Sequence, residues 1–137
     1  MENNFIISAN DPESLAKTAV EILIEKKGID VSLYDVSCES PLTDYYINVT
    51  GRSFIHVSSL ADNVACELVK HGIKYPKFEG KRGDGWILLD FGDVIINIFD
   101  RPSRQFYDLD RLFDKEKLVD ISDIIKKIDN KFTINKI

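Results

Sequence analysis

The chain offers one arrangement of residues that could support catalysis, a Gly-Ser turn followed by carboxylates. Gly51-Arg52-Ser53 could hold phosphates, and carboxylates could bind magnesium for nucleotidyl transfer. The available carboxylates are poorly placed for that reaction. Asp62 falls inside a predicted helix, and Asp90 and Asp93 flank a predicted turn, where acidic residues are common. We therefore predict a protein that is not an enzyme and uses no metal or cofactor, with a nucleotidyltransferase-like, metal-dependent enzyme as the alternative.

Histidine and cysteine are too few to indicate another catalytic site. His56 and His71 fall near the two ends of one predicted helix, and no serine or cysteine is placed as a nucleophile beside either of them. Cys38 and Cys66 do not form a Cys-x-x-Cys motif, so neither a zinc site nor a redox pair is indicated. We predict that both cysteines are small, packed side chains.

Length and composition indicate one globular domain. The chain has 137 residues, of which 44% are hydrophobic and 30% charged, a balance typical of a folded protein with a single core. Its longest apolar runs are far shorter than a membrane span. The segment from Met1 to Asp11 contains two acids and no lysine or arginine, unlike a signal or transit peptide. We therefore expect a cytoplasmic protein with no membrane association.

The net charge of −5 bears on the kind of partner. Proteins that bind nucleic acid usually present a basic stripe, whereas the 18 basic residues here are mixed among 23 acidic ones. A basic protein partner suits this charge better. A direct RNA-binding regulator is a further alternative, because Tyr34, Tyr45 and Tyr46 could stack on bases, although tyrosines in strands more often pack within the sheet. Little direct nucleic acid binding is expected.

Hydrophobic periodicity and capping residues predict a mixture of helices and strands. The first helix is predicted from Pro12 to Lys27, with Asp11 as N-cap and Gly28 as the stop. The other predicted elements are strands Val31–Val36 and Tyr45–Thr50, a helix Phe54–His71 between Ser53 and Gly72, a loop Tyr75–Asp84 with a short strand near Phe78, two hairpin strands, a polar turn starting at Arg101-Pro102, a short helix through Phe113 with Asp108 as its cap, and a helix Ser122–Asn130. This order predicts an α/β two-layer sandwich with a mixed sheet of about five strands and helices packed on it. The hairpin strands are apolar on both faces, so we expect them in the sheet interior.

The hairpin from Trp86 to Phe99 is the segment that best suggests a binding surface. A three-residue loop built on Asp90, Phe91 and Gly92 is favoured, which places Trp86 opposite Ile96. A two-residue loop places Trp86 opposite Asn97 instead, and both registers stay open. In either case Phe91 sits at a turn, where it could fold back over the sheet or serve as an exposed anchor for another protein. The same two alternatives, packing within the fold or anchoring another protein, apply to Trp86 at the start of the hairpin.

A series of short motifs runs from Asp35 to Phe113. They are Ser40-Pro-Leu-Thr-Asp44, Thr50-Gly-Arg-Ser53, Val57 with Ala61-Asp62, Glu79-Gly80, Trp86-Ile-Leu-Leu-Asp90, Gly92-Asp93-Val94, Arg104-Gln-Phe-Tyr107 and Leu109-Asp-Arg-Leu112. In order and spacing they resemble the ribosomal silencing factor family, also called RsfS or Iojap-like proteins. The resemblance covers about residues 10–120, so we predict a family domain at 1–120 and a C-terminal helix with a polar tail at 121–137.

The resemblance implies a function and a fold. Members of the family bind the large ribosomal subunit through ribosomal protein L-fourteen, obstruct its association with the small subunit and thereby repress translation. Their fold resembles a nucleotidyltransferase domain without its active site. An apolar partner face often self-associates when its partner is absent, so a homodimer of the free protein is an open alternative to a monomer.

Matched residue by residue, the resemblance assigns a partner-binding surface. Its members are Trp86, Phe91, Asp90, Asp93, Arg104 and Tyr107. The chain departs from the family pattern at Asn97, where relatives often have histidine, and at Phe113, where they often have tryptophan. The first departure removes a titratable group, which argues against an acid–base role. The second keeps an aromatic ring but loses an indole donor.

Overall fold

A mixed sheet of five strands forms the centre of the protein, as shown by a computed structural model that describes residues 11–80 and 85–135, with side chains through residue 131. The strands are β1 (Ile29–Asp35), β2 (Tyr45–Gly51), β3 (Lys77–Glu79), β4 (Trp86–Asp90) and β5 (Val94–Asp100). Their order across the sheet is β1-β2-β5-β4-β3, and only the β2–β5 pair is parallel. The predicted mixed sheet is confirmed, and so is the interior position of the two hairpin strands, β4 and β5. The segment Met1–Asn10 and part of the predicted loop Tyr75–Asp84 lie outside the described residues.

Within the described residues, four α-helices and two short 3₁₀ turns accompany the sheet. They are α1 (Pro12–Glu25), α2 (Phe54–Lys70), α3 (Arg101–Tyr107), the 3₁₀ turns Leu109–Leu112 and Lys115–Lys117, and α4 (Ser122–Asn135). The predicted N-caps of α1 and α2 are confirmed, because Asp11 accepts from the backbone N–H of Ser14 and Ser53 accepts from that of His56. Helix α1 ends earlier than predicted, since Lys27 adopts a left-handed conformation with φ of 72°.

The core lies between one face of the sheet and helices α1 and α2. Side chains alternate along a strand, so Ile87 and Leu89 of β4 enter this core together with Ile96 and Ile98 of β5. The alternate residues of the same strands point to the opposite side, which we call the open face. The core thus covers one face of the sheet. Every second residue of β4 lies on the other face, where it is available for other contacts.

The short helix α3 replaces a predicted turn. Asp100 accepts from the backbone N–H of Ser103 and Pro102 occupies the first turn, the same start signal that was recognised at Asp11-Pro12. Asp108 was predicted to cap a short helix through Phe113. A 3₁₀ turn, Leu109–Leu112, does follow Asp108, but the Asp108 side chain makes no capping hydrogen bond. With φ of 50° Asp108 ends α3 in the left-handed conformation.

The hairpin register differs from both predicted registers. Trp86 lies opposite Phe99, and Leu88 lies opposite Asn97. The ladder continues past β4, since the N–H of Phe91 donates to the carbonyl of Val94. The tip is therefore Gly92-Asp93, with Gly92 at φ of 90°, and Phe91 is not at the tip.

The positive φ of Gly92 at the hairpin tip can be tested by substitution. A Cβ at this position would meet no atom within 4 Å, so Gly92→Ala should lower the free energy of unfolding by about 1–2 kcal/mol through backbone strain alone. Asp93→Ala, at the neighbouring tip position, should change it by less than about 0.5 kcal/mol. Urea unfolding measures both. Equal stability of Gly92→Ala and wild type would show that position 92 does not have a positive φ.

The C-terminal helix packs against α1. Ile128 is buried, and two ion pairs join the helices, Lys127 to Glu21 at 2.7 Å and Lys131 to Glu25 at 2.9 Å. Helix α4 also continues past its predicted end, to Asn135. No helix within the described residues is long and apolar enough to cross a membrane.

The prediction that both cysteines are packed is wrong. Cys38 and Cys66 are exposed. Cys38 lies in the loop between β1 and β2, and Cys66 lies on the outer side of α2, whose inward residues at 64, 65 and 68 leave position 66 facing solvent.

Candidate partner-binding site

Trp86 lies on the open face at the start of β4. Its ring packs on Phe99 and Tyr107, with centroid distances of 5.3 and 4.6 Å. Its indole N–H donates to the Oδ1 of Asn97 over 3.0 Å. The ring is therefore held by aromatic packing on one side and by a hydrogen bond at its nitrogen, while part of it stays exposed.

A chain of side-chain hydrogen bonds runs beneath this surface from Trp86 to the C-terminal segment. The Nδ2 of Asn97 donates to Asn48 over 3.2 Å, and the Nδ2 of Asn48 donates to Asp110 over 3.1 Å. Both asparagines are buried. No buried side-chain polar atom among the described residues lacks a hydrogen-bond partner. Unsatisfied polar groups are costly inside proteins. The hydrogen bonds that satisfy these side chains connect β4, β5 and β2 to the segment after α3.

Asp110 is the centre of this network. Its Oδ1 accepts from the Tyr34 hydroxyl over 2.8 Å and from the Asn48 amide, and its Oδ2 accepts from the Arg104 Nε over 2.9 Å. Arg104 also donates to the carbonyl of Asp30 and to the hydroxyl of Thr50. The two charged side chains are only 16% and 27% exposed. This ion pair fastens α3 and the first 3₁₀ turn to the open face.

The network changes the acidity of two of its members. Burial by itself raises the pKa of Asp110, but hydrogen bonds from Arg104, Asn48 and Tyr34 outweigh it and lower that pKa below its usual value. Burial and the neighbouring Asp110 carboxylate raise the pKa of Tyr34 to about 12. Asp110 is therefore ionised and Tyr34 is neutral at pH 7, the states that their mutual hydrogen bond requires.

The structure brings together only part of the predicted partner-binding surface. Trp86 and Tyr107 are in contact on the open face, whereas Phe91 packs against the core margin on the opposite side of the sheet. Trp86 and Phe91 therefore do not share a face of the sheet. Arg104 lies beneath the surface in the ion pair described above.

The two predicted aspartates serve the hairpin tip. Asp90 accepts from the backbone N–H of Gly92 over 2.8 Å. The carbonyl of Asp93 accepts from the backbone N–H groups of Asp44 and Tyr45, which joins the tip to the start of β2. Both residues thus have structural roles that do not require a partner.

Exposed aromatic side chains adjoin Trp86. Phe106 is 80% exposed and Tyr107 is 44% exposed, and their rings meet edge to face at 5.1 Å. We call Trp86, Phe106 and Tyr107 the aromatic patch. Aromatic residues that are held rigidly and left in solvent are typical anchors of protein interfaces. Sequence reasoning missed Phe106, although it lies within the Arg104-Gln-Phe-Tyr107 motif.

A pocket of about 260 Å³ lies next to the aromatic patch, between β3 and α3. It is lined by Trp86, Leu88 and Tyr107, together with Glu79 at the end of β3 and Gly80 directly after it. Glu79 is opposite Leu88 in the strand ladder, so both side chains lie on the open face. The pocket therefore combines apolar walls with a carboxylate.

The residues considered for catalysis are used within the fold. Ser53 caps α2, and the backbone N–H of Arg52 donates to the Nδ1 of His56 over 2.9 Å. The Nε2 of the same ring lies 3.0 Å from the carbonyl of Lys26, so the buried ring joins the ends of α1 and α2. In the ranges 11–80 and 85–135, no three His, Cys, Asp or Glu side chains are grouped as a metal site would need.

A family model described as "Ribosomal silencing factor during starvation" matches residues 9–136. The chain belongs to the ribosomal silencing factor family. It is 37% identical over 100 residues to ribosomal silencing factor RsfS of Haemophilus influenzae, covering 73% of this chain and 98% of that protein. It is also 31% identical to the chloroplastic protein Iojap of Zea mays, of which it covers 42%. The resemblance inferred from the motifs is thus confirmed.

A solved structure from Chromobacterium violaceum has the same fold. It superimposes with a TM-score of 0.70 at 32% identity, covering 73% of this chain and 83% of that one. The mixed sheet with its packed helices is therefore an architecture of this family.

Asn97 and Phe113, the two positions expected to depart from the family pattern, are buried and partly buried, respectively. Asn97 links Trp86 to Asn48 in the hydrogen-bond network. Phe113 packs between Tyr34 and Tyr46, at centroid distances of 4.7 and 5.0 Å. Neither position is part of the aromatic patch, so both side chains act in the layer that supports it.

Proposed function

We propose that the chain docks on the large ribosomal subunit through ribosomal protein L-fourteen and sterically blocks association with the small subunit, which represses translation. Membership in the ribosomal silencing factor family is the observation that carries this proposal. In this proposal the protein acts in the cytoplasm by occupying a surface and catalyses no reaction.

The aromatic patch is the part of the chain that suits this role best. Its rings are exposed, yet Trp86 is fixed by Phe99 and Asn97, so little side-chain entropy is lost on binding. The net charge of −5 favours approach to a basic ribosomal protein. We propose that Trp86 and Tyr107 contact the partner, that Arg104 supports the surface from beneath, and that Asp90 and Asp93 hold the hairpin tip at the other end of β4.

Sedimentation with purified ribosomal particles tests the proposal. The protein is expected to cosediment with large subunits and to miss small subunits and joined ribosomes, because the joined particle covers its docking surface. Added before subunit joining, it should reduce the fraction of joined ribosomes. A pull-down with L-fourteen alone identifies the contact. Equal binding to both subunits, or no effect on joining, would contradict the steric mechanism.

A further inference from the structure

The pocket beside the aromatic patch has the chemistry of a site for one cationic side chain. Trp86 and Tyr107 present ring faces inclined at 48°, and Glu79 adds a carboxylate from the neighbouring strand. Aromatic faces attract cations, and a guanidinium group also stacks on them. We infer that this pocket receives a lysine or arginine side chain of the partner protein, an inference that rests on the proposed function for the identity of that partner.

The carboxylate of Glu79 is available for such a contact. Glu79 is exposed, and within the described part of the chain its side chain makes no hydrogen bond or ion pair. Lys77, the nearby cation on the same face of β3, lies opposite Asp90 in the strand ladder. Arg104 is already bound to Asp110. Among the described residues no cation is paired with Glu79, so its carboxylate is able to pair with a cation that enters the pocket from outside.

The size of the pocket also favours a single side chain. Its volume of about 260 Å³ is below the roughly 300–1,000 Å³ of pockets that hold small-molecule ligands. Gly80 keeps β3 close to β4, because a Cβ there would overlap the carbonyl oxygen of Trp86 and its φ of 98° suits glycine. The volume and the mixed aromatic and acidic lining fit a long, flexible, positively charged side chain.

Affinity for large subunits is the first test. Glu79→Gln removes the charge and keeps the size, and we expect it to weaken binding roughly three- to tenfold and to reduce the dependence of affinity on salt concentration. Glu116→Gln is the matched control, because Glu116 is exposed in the second 3₁₀ turn, near the other edge of the sheet. Equal affinities of the two variants would overturn the inference.

A second test does not depend on the ribosome. Trp86 is the only tryptophan, so its indole N–H gives one identifiable signal in an NMR spectrum of the nitrogen-labelled protein. N-acetyl-arginine amide should shift this signal in wild type and not in Glu79→Gln. No shift, or an equal shift with N-acetyl-norleucine amide or with uridine monophosphate, would overturn the cationic assignment.

The two tests separate the inference from the proposed function. If wild type fails to bind large subunits while the arginine amide shifts the indole signal, the pocket is cationic and the ribosomal partner is wrong. If large subunits bind equally well to wild type and Glu79→Gln and the arginine amide has no effect, the proposed function stands and the pocket assignment is wrong.

Discussion

Asp110→Asn is expected to lower the free energy of unfolding by about 2–4 kcal/mol. The carboxylate accepts hydrogen bonds from Tyr34, Asn48 and Arg104, whereas an amide offers one acceptor oxygen and two donor hydrogens. One of these donors must therefore face another amide or the guanidinium group. Arg104 also loses its charged partner while it is only 16% exposed. Equilibrium unfolding in urea, followed by the fluorescence of Trp86, measures the loss.

The matched control is Asp108→Asn, two residues away. Asp108 pairs with Arg111 at 3.6 Å, but this arginine is 82% exposed, so the pair contributes little. Asparagine also tolerates the left-handed conformation of position 108. We expect a change below about 0.5 kcal/mol. If both variants lost the same stability, Asp110 would not be the centre of a network.

The pH dependence of stability provides a separate prediction about the same residue. The folded state lowers the pKa of Asp110 below its unfolded value, so its contribution to stability is fully present above the unfolded pKa and is lost as pH falls through the folded pKa. The stability difference between wild type and Asp110→Asn should therefore be constant near neutrality and shrink below about pH 4. A difference that persists unchanged into more acidic solution would show that the charge of Asp110 is not responsible.

The sequence predicted the architecture well because burial imposes a pattern on it. Strands β4 and β5 are apolar at successive positions, which predicted that they lie between other strands in the interior of the sheet, as they do. The caps Asp11 and Ser53 act through local hydrogen bonds that a short window of sequence contains. Each of these features depends on residues that are near one another in the chain.

The hairpin register could not be obtained in the same way. Several types of hairpin loop accept a glycine with positive φ, and the sequence alone does not show whether Phe91 ends a strand or begins a turn. Here the tertiary environment decides, because Phe91 can pack against the core margin only if the ladder continues past Asp90. Asp100-Arg-Pro102 was likewise missed as a helix start, since α3 has only seven residues and too little periodicity to be recognised.

The candidate site illustrates a second limit of sequence reasoning. The sequence motif identified Arg104 and Tyr107 as site residues, but Arg104 lies beneath the surface and Tyr107 lies on it. Asn48 and Asp110 are separated by 62 positions in the chain, and no local pattern shows that they meet. Buried asparagines on adjacent strands were the available signal, since such residues need partners.

The separation of Trp86 and Phe91 onto opposite faces predicts that their replacement has different consequences. Trp86→Leu keeps an apolar side chain against Phe99 but removes the indole ring from the aromatic patch. If the patch is the docking surface, affinity for large subunits should fall at least about tenfold, because buried aromatic anchors carry much of the binding energy of an interface. Sedimentation at several protein concentrations, at fixed salt, measures this affinity.

Phe91→Leu makes a comparable change on the other side of the same strand. Because Phe91 packs at the core margin, this variant should lose about 1 kcal/mol of stability and bind large subunits as wild type does. Measuring unfolding and affinity for both variants separates the two roles, since a variant that remains folded loses affinity only if it has lost a contact with the partner. Loss of binding by Phe91→Leu with binding retained by Trp86→Leu would move the docking surface from the open face to the hairpin tip and its core side.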